Sequence, residues 1–398
     1  MSPSPESATQ GAVAVLIVDD SSFNRLLLRR RLAELGYDNV ETAQDGIEGL
    51  AAIEQRRFDV VLLDIEMPGL DGIGVLERLH ASGRPEPPVI VISALTEMAA
   101  VVRCIELGAE DYLPKSFDLP LLRARLSAVL EKKRLRDLAA QRLELLEAEL
   151  ESARLAQLSL VPRDFSAFAA HRVVLHAAMV PARQVGGDLY DAVRLDDRTL
   201  LFAVADVSGK GAPAGLTMAR TLGLIRSSGR LLARRGEGTV DPAAILAAAN
   251  DDLARDNDEA TFVTVALGVM DMAEGTGRIA IAGHEAPLVY GGSLPPRALP
   301  STVRQPPLGA AEGFAYRSDP FALKPGEGLL LYSDGVTEAE NGAETFFGRI
   351  RLVALLSTLS YASADPCVVV KGVFDAVARF ADGESQADDI TALSLAFS

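Results

Sequence analysis

The chain has 398 residues, of which 48% are hydrophobic and 24% charged, a balance typical of a soluble globular protein with two or three domains. Its net charge of −16 argues against nonspecific binding to nucleic acid, which depends on clustered Lys and Arg. Its two cysteines are too few for a disulfide scaffold or a zinc site, and we expect both to be buried thiols. No stretch approaches the roughly 20 apolar residues of a membrane span. Residues 1–12 are polar, are expected to be disordered and lack a signal-peptide core, so we expect a cytoplasmic protein.

A first domain is predicted over residues 13–131. Short aliphatic runs at 13–18, 58–63 and 88–93 alternate with longer amphipathic segments. Continuous apolar runs separated by helix-period segments favour a parallel sheet that is covered by helices on both faces. The predicted fold is a doubly wound, flavodoxin-like α/β domain.

Polar side chains follow the ends of these predicted strands. Asp19 and Asp20 come directly after the first run, and Asp64 ends a later one. The carboxyl ends of parallel strands share one edge, so the three carboxylates would repel one another without a hard cation such as Mg²⁺. Ser93 and Lys115 would reach the same edge. Asp residues also cap helices, but helix capping does not explain all five positions together.

These motifs resemble the receiver domain of two-component response regulators over about 120 residues. The matching features are the Asp pair at 19–20, D-x-x-M-P-x-x-D-G at 64–72, Ser-Ala at 93–94 and Lys115. The resemblance implies phosphorylation of Asp64 by a histidine kinase or phosphotransfer protein. It further implies Mg²⁺ ligands at Asp19, Asp20, Asp64 and the backbone carbonyl of Glu66, phosphoryl binding by Ser93 and Lys115, and a switch aromatic at Tyr112.

Residues 132–162 are predicted to form a helical linker. The segment is rich in Leu, Ala, Glu and Arg, and it lacks Gly and Pro until Pro162. One apolar stripe runs along it, formed by Leu135, Ala139, Leu143, Leu146, Leu150, Ala153 and Leu160. Such a stripe packs either on the chain's own domains or, as we favour, on a second copy in a coiled-coil homodimer.

A second domain is predicted over residues 163–398. Strand-like runs come first, then helices, then more strands, without regular βαβ alternation. This order favours an α+β sandwich with helices outside antiparallel sheets. Carboxylates border the strands at Asp188, Asp191, Asp206, Asp334, Asp388 and Asp389.

Carboxylates that converge on one edge require metal, and two divalent ions that share a bridging carboxylate activate water for phosphate-ester hydrolysis. A phosphate-binding nucleotide loop is the rival interpretation of LLFAVADVSGKG, but Val204 and Gly211 stand where the Walker motif needs Gly and Ser or Thr. The four histidines form no zinc-peptidase or serine-hydrolase motif. His284 either lines the site or is structural.

The second domain resembles the bacterial metal-dependent protein phosphatases of the PPM superfamily, SpoIIE-like branch. The segments PARQVGGDLYD, ADVSGKGAPAGLTMA, AGHEAPL, LLLYSDGVTEAEN, FFGRIRL and ADDIT carry the resemblance. It implies a β-sandwich flanked by helices, with two Mn²⁺ or Mg²⁺ ions at one end. By motif, Asp206 would bridge both ions, with the Val207 carbonyl as a further ligand. Asp188 would support one ion, Asp334 and Asp388 would support the other, and Asp389 would lie adjacent.

The two resemblances together imply a response regulator that hydrolyses phosphoserine or phosphothreonine in a protein. An anti-sigma-factor antagonist is the implied substrate, reached without DNA or membrane contact. No phosphate-binding arginine is evident beyond Arg183. The alternative is a regulator that sequesters a phosphoprotein without turnover, which loss of metal ligands would favour.

Overall fold

The computed structural model describes residues 13–82, 86–94, 98–168, 172–235, 240–255, 257, 260–300, 303–362 and 365–398. The predicted tail at 1–12 lies outside the described residues. Two folded units make up the chain, the first ending at Leu146 and the second beginning at Glu147. In the described ranges, every helix falls short of the length or hydropathy that a membrane span requires.

Five parallel strands in the order β2-β1-β3-β4-β5 form the sheet of the first unit. They are β1 Val15–Val18, β2 Val40–Ala43, β3 Val60–Asp64, β4 Val89–Ser93 and β5 Asp111–Pro114. The helices between them are α1 Ser22–Glu34, α2 Gly46–Gln55, α3 Gly72–Ser82 and α4 Met98–Glu106. This order is doubly wound and confirms the predicted fold class.

Strand β1 shows why its sequence is apolar at every position. Val15 and Ile17 enter a core on one face of the sheet, whereas Leu16 and Val18 enter a separate core on the other face. Since both faces are covered, all four side chains are buried and none can be polar. The chemistry therefore begins where the strand ends, at Asp19.

A single helix, α5, extends over Leu119–Leu158. Leu122 and Leu126 at its beginning are fully buried in the core of the first unit. Beyond Lys133 the pattern changes, and residues 134–153 are exposed on every side. The predicted linker is thus the continuation of the last helix of the first unit.

Two five-stranded antiparallel sheets form the second unit. Their orders are β13-β10-β9-β8-β7 and β12-β11-β14-β15-β6. The strands are β6 Val173–Val180, β7 Leu189–Arg194, β8 Thr199–Val207, β9 Val263–Asp271, β10 Thr276–Ala282, β11 Leu288–Gly291, β12 Arg297–Ala298, β13 Asp319–Ala322, β14 Glu327–Tyr332 and β15 Ile390–Phe397. The predicted sandwich is confirmed, although β7, β11, β12 and β13 did not stand out as hydrophobic runs in the sequence.

Helices cover the outer faces of this sandwich. They are α6 Ala212–Arg235, α7 Pro242–Ala254, α8 Asp334–Thr337, α9 Gly348–Ala362 and α10 Pro366–Ala381. Ile225 and Ile245 of α6 and α7 join the core of the first sheet, and Leu352 and Val373 of α9 and α10 pack on the second. With its faces covered, the sandwich leaves its ends for polar residues.

One expectation about the cysteines is wrong. Cys104 is buried, and burial raises the pKa of its thiol to about 11. Cys367, however, is exposed; it lies in the first turn of α10, and its backbone N–H donates to Asp365 Oδ1.

Candidate metal centres

Three carboxylates meet at one edge of the first sheet. Asp19 follows β1, Asp20 comes next, and Asp64 is the last residue of β3. One oxygen from each lies within 4.8 Å of the other two. Asp19 and Asp64 are buried and Asp20 is exposed, so a cation would enter from the solvent side. The three carboxylates therefore lie together at this edge of the sheet.

A lysine and a serine border this carboxylate cluster. Lys115 follows β5, and its Nζ lies 3.0 Å from each carboxylate oxygen of Asp64. Ser93 ends β4, is buried, and donates its hydroxyl to the carbonyl of Ala94 at 3.0 Å. Tyr112 is half-buried on β5, with the Arg125 guanidinium 5.7 Å from its ring centre.

Burial, with a smaller contribution from neighbouring carboxylates, raises the pKa values of Asp19 and Asp64 in the first unit. Burial raises the pKa of Asp64; the Lys115 hydrogen bond opposes this rise, and the charge of Asp19 adds to it. The backbone N–H of Glu66 also donates to Asp64, which brings the Glu66 peptide beside the cluster. Three carboxylate oxygens this close together fit a hard divalent cation.

A second acidic cluster lies at one end of the sandwich. Asp188 immediately precedes β7, and Asp206 is the penultimate residue of β8. Asp334 begins α8, two residues after β14, and Asp388 lies two residues before β15. Four ends of antiparallel strands therefore supply the cluster, two from each sheet.

Electrostatics show that these four carboxylates lie close enough to interact. Burial, followed by the charges of Asp334 and Asp388, raises the pKa of Asp206 to about 7. Burial and the charge of Asp206 raise the pKa of Asp188 well above its usual range. Asp188 and Asp206 interact directly across the cluster, so the metal-free site is crowded with like charge.

The donor set of this second cluster fits divalent metal. Oδ2 of Asp188 is buried and accepts no hydrogen bond from any described residue. A carboxylate oxygen without a donor is costly unless a cation compensates it. Within the described residues, a set of three ligand atoms within 4.8 Å occurs only in the first unit. The carboxylates of the second cluster supply the oxygen ligands that hard divalent cations prefer.

Asp389 holds the backbone beside Asp188. Its carboxylate accepts hydrogen bonds from the N–H groups of Ala182 at 2.8 Å and Gly187 at 2.6 Å. A Cβ on Gly186 would lie 2.2 Å from Asp389 Oδ2, so only glycine permits this approach. A Cβ on Gly187 would likewise lie 2.7 Å from the Val207 carbonyl oxygen. The two glycines thus allow the Asp389 carboxylate and the Val207 carbonyl to approach the backbone at Gly186 and Gly187 closely.

Three residues of this region had no role in the sequence interpretation. Lys210, part of the rejected nucleotide-loop interpretation, lies 3.3 Å from Asp388 Oδ2. Gln157, near the end of α5, is buried; its Nε2 donates to the Gly186 carbonyl at 2.6 Å, and its Oε1 accepts from the Gly186 N–H at 3.1 Å. Arg226 forms two hydrogen bonds of 2.8 Å with Asp191. Only the position of Lys210 in the Gly-Lys-Gly segment offered a sequence signal.

The remaining sequence candidates lie at the border of the cluster. Asp191 pairs with Arg226 and does not join the four carboxylates. Nδ1 of His284 lies 2.8 Å from the Thr264 hydroxyl, and Thr264 pairs with Asp206 across β8 and β9. Burial lowers the pKa of His284 to about 4, so the ring is neutral. Arg183 is exposed.

Fold and sites together define the class of the protein. A receiver with an acidic cluster precedes a sandwich of the metal-dependent protein phosphatase type. The family model described as Stage II sporulation protein E (SpoIIE) matches residues 196–398, and the response regulator receiver domain matches residues 15–127. The chain belongs to the SpoIIE family, and its N-terminal domain is a response regulator receiver.

Known proteins resemble each half separately. The response regulator MprA of Mycobacterium sp. (strain KMS) is 43% identical over 120 residues, which are 30% of this chain and 51% of that protein. The MprA of Mycobacterium ulcerans is 41% identical over 126 residues, 32% and 53% of the two chains. This chain therefore spans about half the length of the curated relatives it matches. The SiaA-PP2C domain of Pseudomonas aeruginosa shares the fold, with TM-score 0.56 and 24% identity over 65% of this chain and 100% of that domain.

Proposed function

We propose that this protein is a phosphorylation-regulated response regulator whose output domain hydrolyses phosphoserine or phosphothreonine in a protein. The observation that carries the proposal is the carboxylate cluster around Asp206, where a buried Asp188 oxygen accepts no hydrogen bond from the part of the chain that the structure describes and the pKa of Asp206 is raised to about 7. Such a cluster is electrostatically unfavourable until cations neutralise it. Family membership supports the same reaction class.

Each carboxylate of the second domain has a proposed role. Asp206 would hold both of two Mn²⁺ or Mg²⁺ ions, Asp188 would support one of them, and Asp334 with Asp388 would support the other. The Val207 carbonyl adds a ligand, and Asp389 lies adjacent and holds the loop that presents Asp188. When bound, the ions supply water activation and neutralise the charge that develops on the phosphoryl oxygens. Lys210 orients Asp388 through their ion pair.

The receiver residues have corresponding roles. Asp64 accepts a phosphoryl group from a histidine kinase or phosphotransfer protein. Mg²⁺ would be held by Asp19, Asp20, Asp64 and the Glu66 carbonyl. Ser93 and Lys115 bind the phosphoryl group, a role that the 3.0 Å contact of Lys115 with Asp64 supports. Tyr112 is the switch aromatic.

Regulation would pass along α5. The helix begins in the core of the first unit, and near its other end Gln157 binds both polar groups of Gly186, two residues before Asp188. A shift of the helix would therefore move the backbone that presents a proposed metal ligand. Coupling of this kind requires an element with two arrangements, and α5 is the candidate element.

The finer assignments extend the same proposal. A phosphorylated anti-sigma-factor antagonist is the proposed substrate, in the cytoplasm, without nucleic acid or membrane. The alternative of a non-catalytic regulator that sequesters a phosphoprotein is less favoured, because every carboxylate of the proposed metal site is present.

Metal-dependent release of phosphate tests the enzyme. We expect the full chain to release phosphate from a phosphoserine protein with Mn²⁺ or Mg²⁺ and to stop when EDTA is added. Because the receiver state can inhibit or activate, the assay is run with and without acetyl phosphate. Absence of metal-dependent release in both states would overturn the proposal, while stoichiometric binding without release would establish the sequestration alternative.

Dimerisation through α5 is a second testable element. Leu143, Leu146 and Leu150 follow one another at spacings of three and four residues, and all are exposed, at 58%, 51% and 40%. We expect light scattering to give a dimer for the full chain and a monomer for the Leu143→Asp, Leu150→Asp double variant. The matched Glu144→Asp, Glu151→Asp variant should remain a dimer. A wild-type monomer at all concentrations would contradict the coiled coil.

A further inference from the structure

A groove opens beside the acidic cluster of the second domain. Its volume is about 540 Å³, within the range of sites that bind small ligands or side chains. Phe374 and Ala378 of helix α10 line it, as does Phe346. Asp388 and Gly335, the neighbour of Asp334, also line it, so the groove and the proposed metal site are continuous.

Apolar surface lies unpaired in this groove. Phe347 is buried and contacts Phe380 edge to face, with ring centres 5.5 Å apart. Its neighbour Phe346 is 55% exposed and faces the groove instead. Val180, the last residue of β6, also lines the groove and is 45% exposed. The contrast between the adjacent phenylalanines indicates that the fold needs only one of them for its core.

The rim of the groove is acidic. Glu338, Glu340, Asp375 and Glu384 line it and are exposed. Lys210 is the one basic residue among the described residues that line it, and its charge is already shared with Asp388 at 3.3 Å. The groove therefore presents apolar surface inside a negative rim. It is complementary to a segment that carries both an apolar and a basic side chain.

We propose that this groove binds the segment of the phosphoprotein substrate next to its phosphorylated residue. The segment would place an apolar side chain against Phe346 and Phe374 and a Lys or Arg against the acidic rim. This inference rests on the proposed function, because the groove adjoins the phosphorylated residue only if Asp388, which lines the groove, belongs to the metal site. A substrate recognised in this way is selected by its sequence as well as by its phosphate.

Peptide flanks provide the first measurement. Phosphoserine peptides carry Leu and Arg within three residues on either side, and matched peptides replace Leu by Ser or Arg by Glu. We expect kcat/KM to fall about tenfold or more with each replacement, mainly through KM, because apolar burial and ion pairing with the rim are lost. Equal kcat/KM for all peptides would overturn the inference.

Groove variants provide the second measurement. Ala378 is exposed, so Ala378→Trp should fold while filling the groove, and Glu340→Lys with Glu384→Lys reverses the rim. Both should lower kcat/KM for the Leu-Arg peptide about tenfold relative to that for p-nitrophenyl phosphate, which has no flanks. Ala354→Trp on α9 and Glu312→Lys, both exposed and outside the groove, are the matched controls and should change neither value. An equal loss in the controls, or no loss in the groove variants, would overturn the inference.

A binding assay separates this inference from the proposed function. Fluorescence anisotropy with a labelled Leu-Arg phosphopeptide requires no turnover. If wild type hydrolyses neither ester, the proposed function fails, yet peptide binding that Ala378→Trp weakens would still support the groove. Peptide binding that the groove variants leave unchanged would contradict the inference about the groove. A change in molecular mass in light scattering for a groove variant would contradict it too, because a second copy of the chain would then occupy the surface.

Discussion

The Asp206→Asn variant is expected to lose more than about 100-fold in kcat/KM for a phosphoserine protein. Substitutions beside a metal ligand already reduce metal affinity or activity about 10–100-fold, and Asp206 is the proposed bridging ligand itself. Asparagine has the same shape but lacks the charge that would hold two cations. Phosphate release at saturating Mn²⁺ measures the effect.

Two observations separate this loss from misfolding. In EDTA the variant should unfold at a temperature no lower than wild type, because the substitution removes one of several repelling charges. The stabilisation that wild type gains from Mn²⁺ should shrink in the variant. Asp197→Asn, at a fully exposed side chain in the same domain, is the control and should retain wild-type activity. Full activity of Asp206→Asn would show that the metal assignment is wrong.

The same carboxyl predicts how metal affinity depends on pH. Since the pKa of Asp206 is raised to about 7, the metal-free site retains a proton below that pH, and the metal must displace it. Apparent Mn²⁺ affinity should therefore fall as pH decreases from 7, by about tenfold per pH unit for one displaced proton. Titration of the metal between pH 5 and pH 8 measures it.

The Asp64→Asn variant is expected to take up no phosphoryl group from acetyl phosphate. The amide lacks the nucleophilic oxygen, whereas the neighbouring Asp19 keeps its carboxyl group and serves as an internal comparison. Intact-mass measurement after incubation with Mg²⁺ should show one added group in wild type and none in the variant. Any difference in phosphatase activity between the two receiver states should disappear as well.

A control substitution and a second variant make this result decisive. Asp38→Asn, at an exposed residue of the same domain, should be phosphorylated like wild type. Lys115→Ala should slow or destabilise phosphorylation without abolishing it, because its Nζ contacts the acceptor and does not form the new bond. Undiminished phosphorylation of Asp64→Asn would assign the acceptor elsewhere.

Much of the architecture could be predicted because its signals are local. An aliphatic run such as Val15–Val18 is buried on both faces of its sheet, so its sequence alone indicates a central parallel strand. The shorter strands β11 and β12 were missed, since two to four residues leave no periodic pattern to detect. The sequence pattern also did not reveal that α5 begins at Leu119, because its first turns pack in the core of the first unit and continue without a break into the solvent-exposed part of the helix.

Local sequence patterns were enough to predict which carboxylates end or begin strands, and hence the two acidic clusters, because the ends of neighbouring strands meet whatever the details of packing. The contacts between individual atoms could be established only from the folded structure. In that structure Asp191 forms an ion pair with Arg226, and Lys210 forms one with Asp388. The Asp389 carboxylate accepts a hydrogen bond from the backbone N–H of Gly187. Asp389 and Gly187 are 202 residues apart. Contacts over such distances depend on how whole sheets pack, and no local pattern of residues records them.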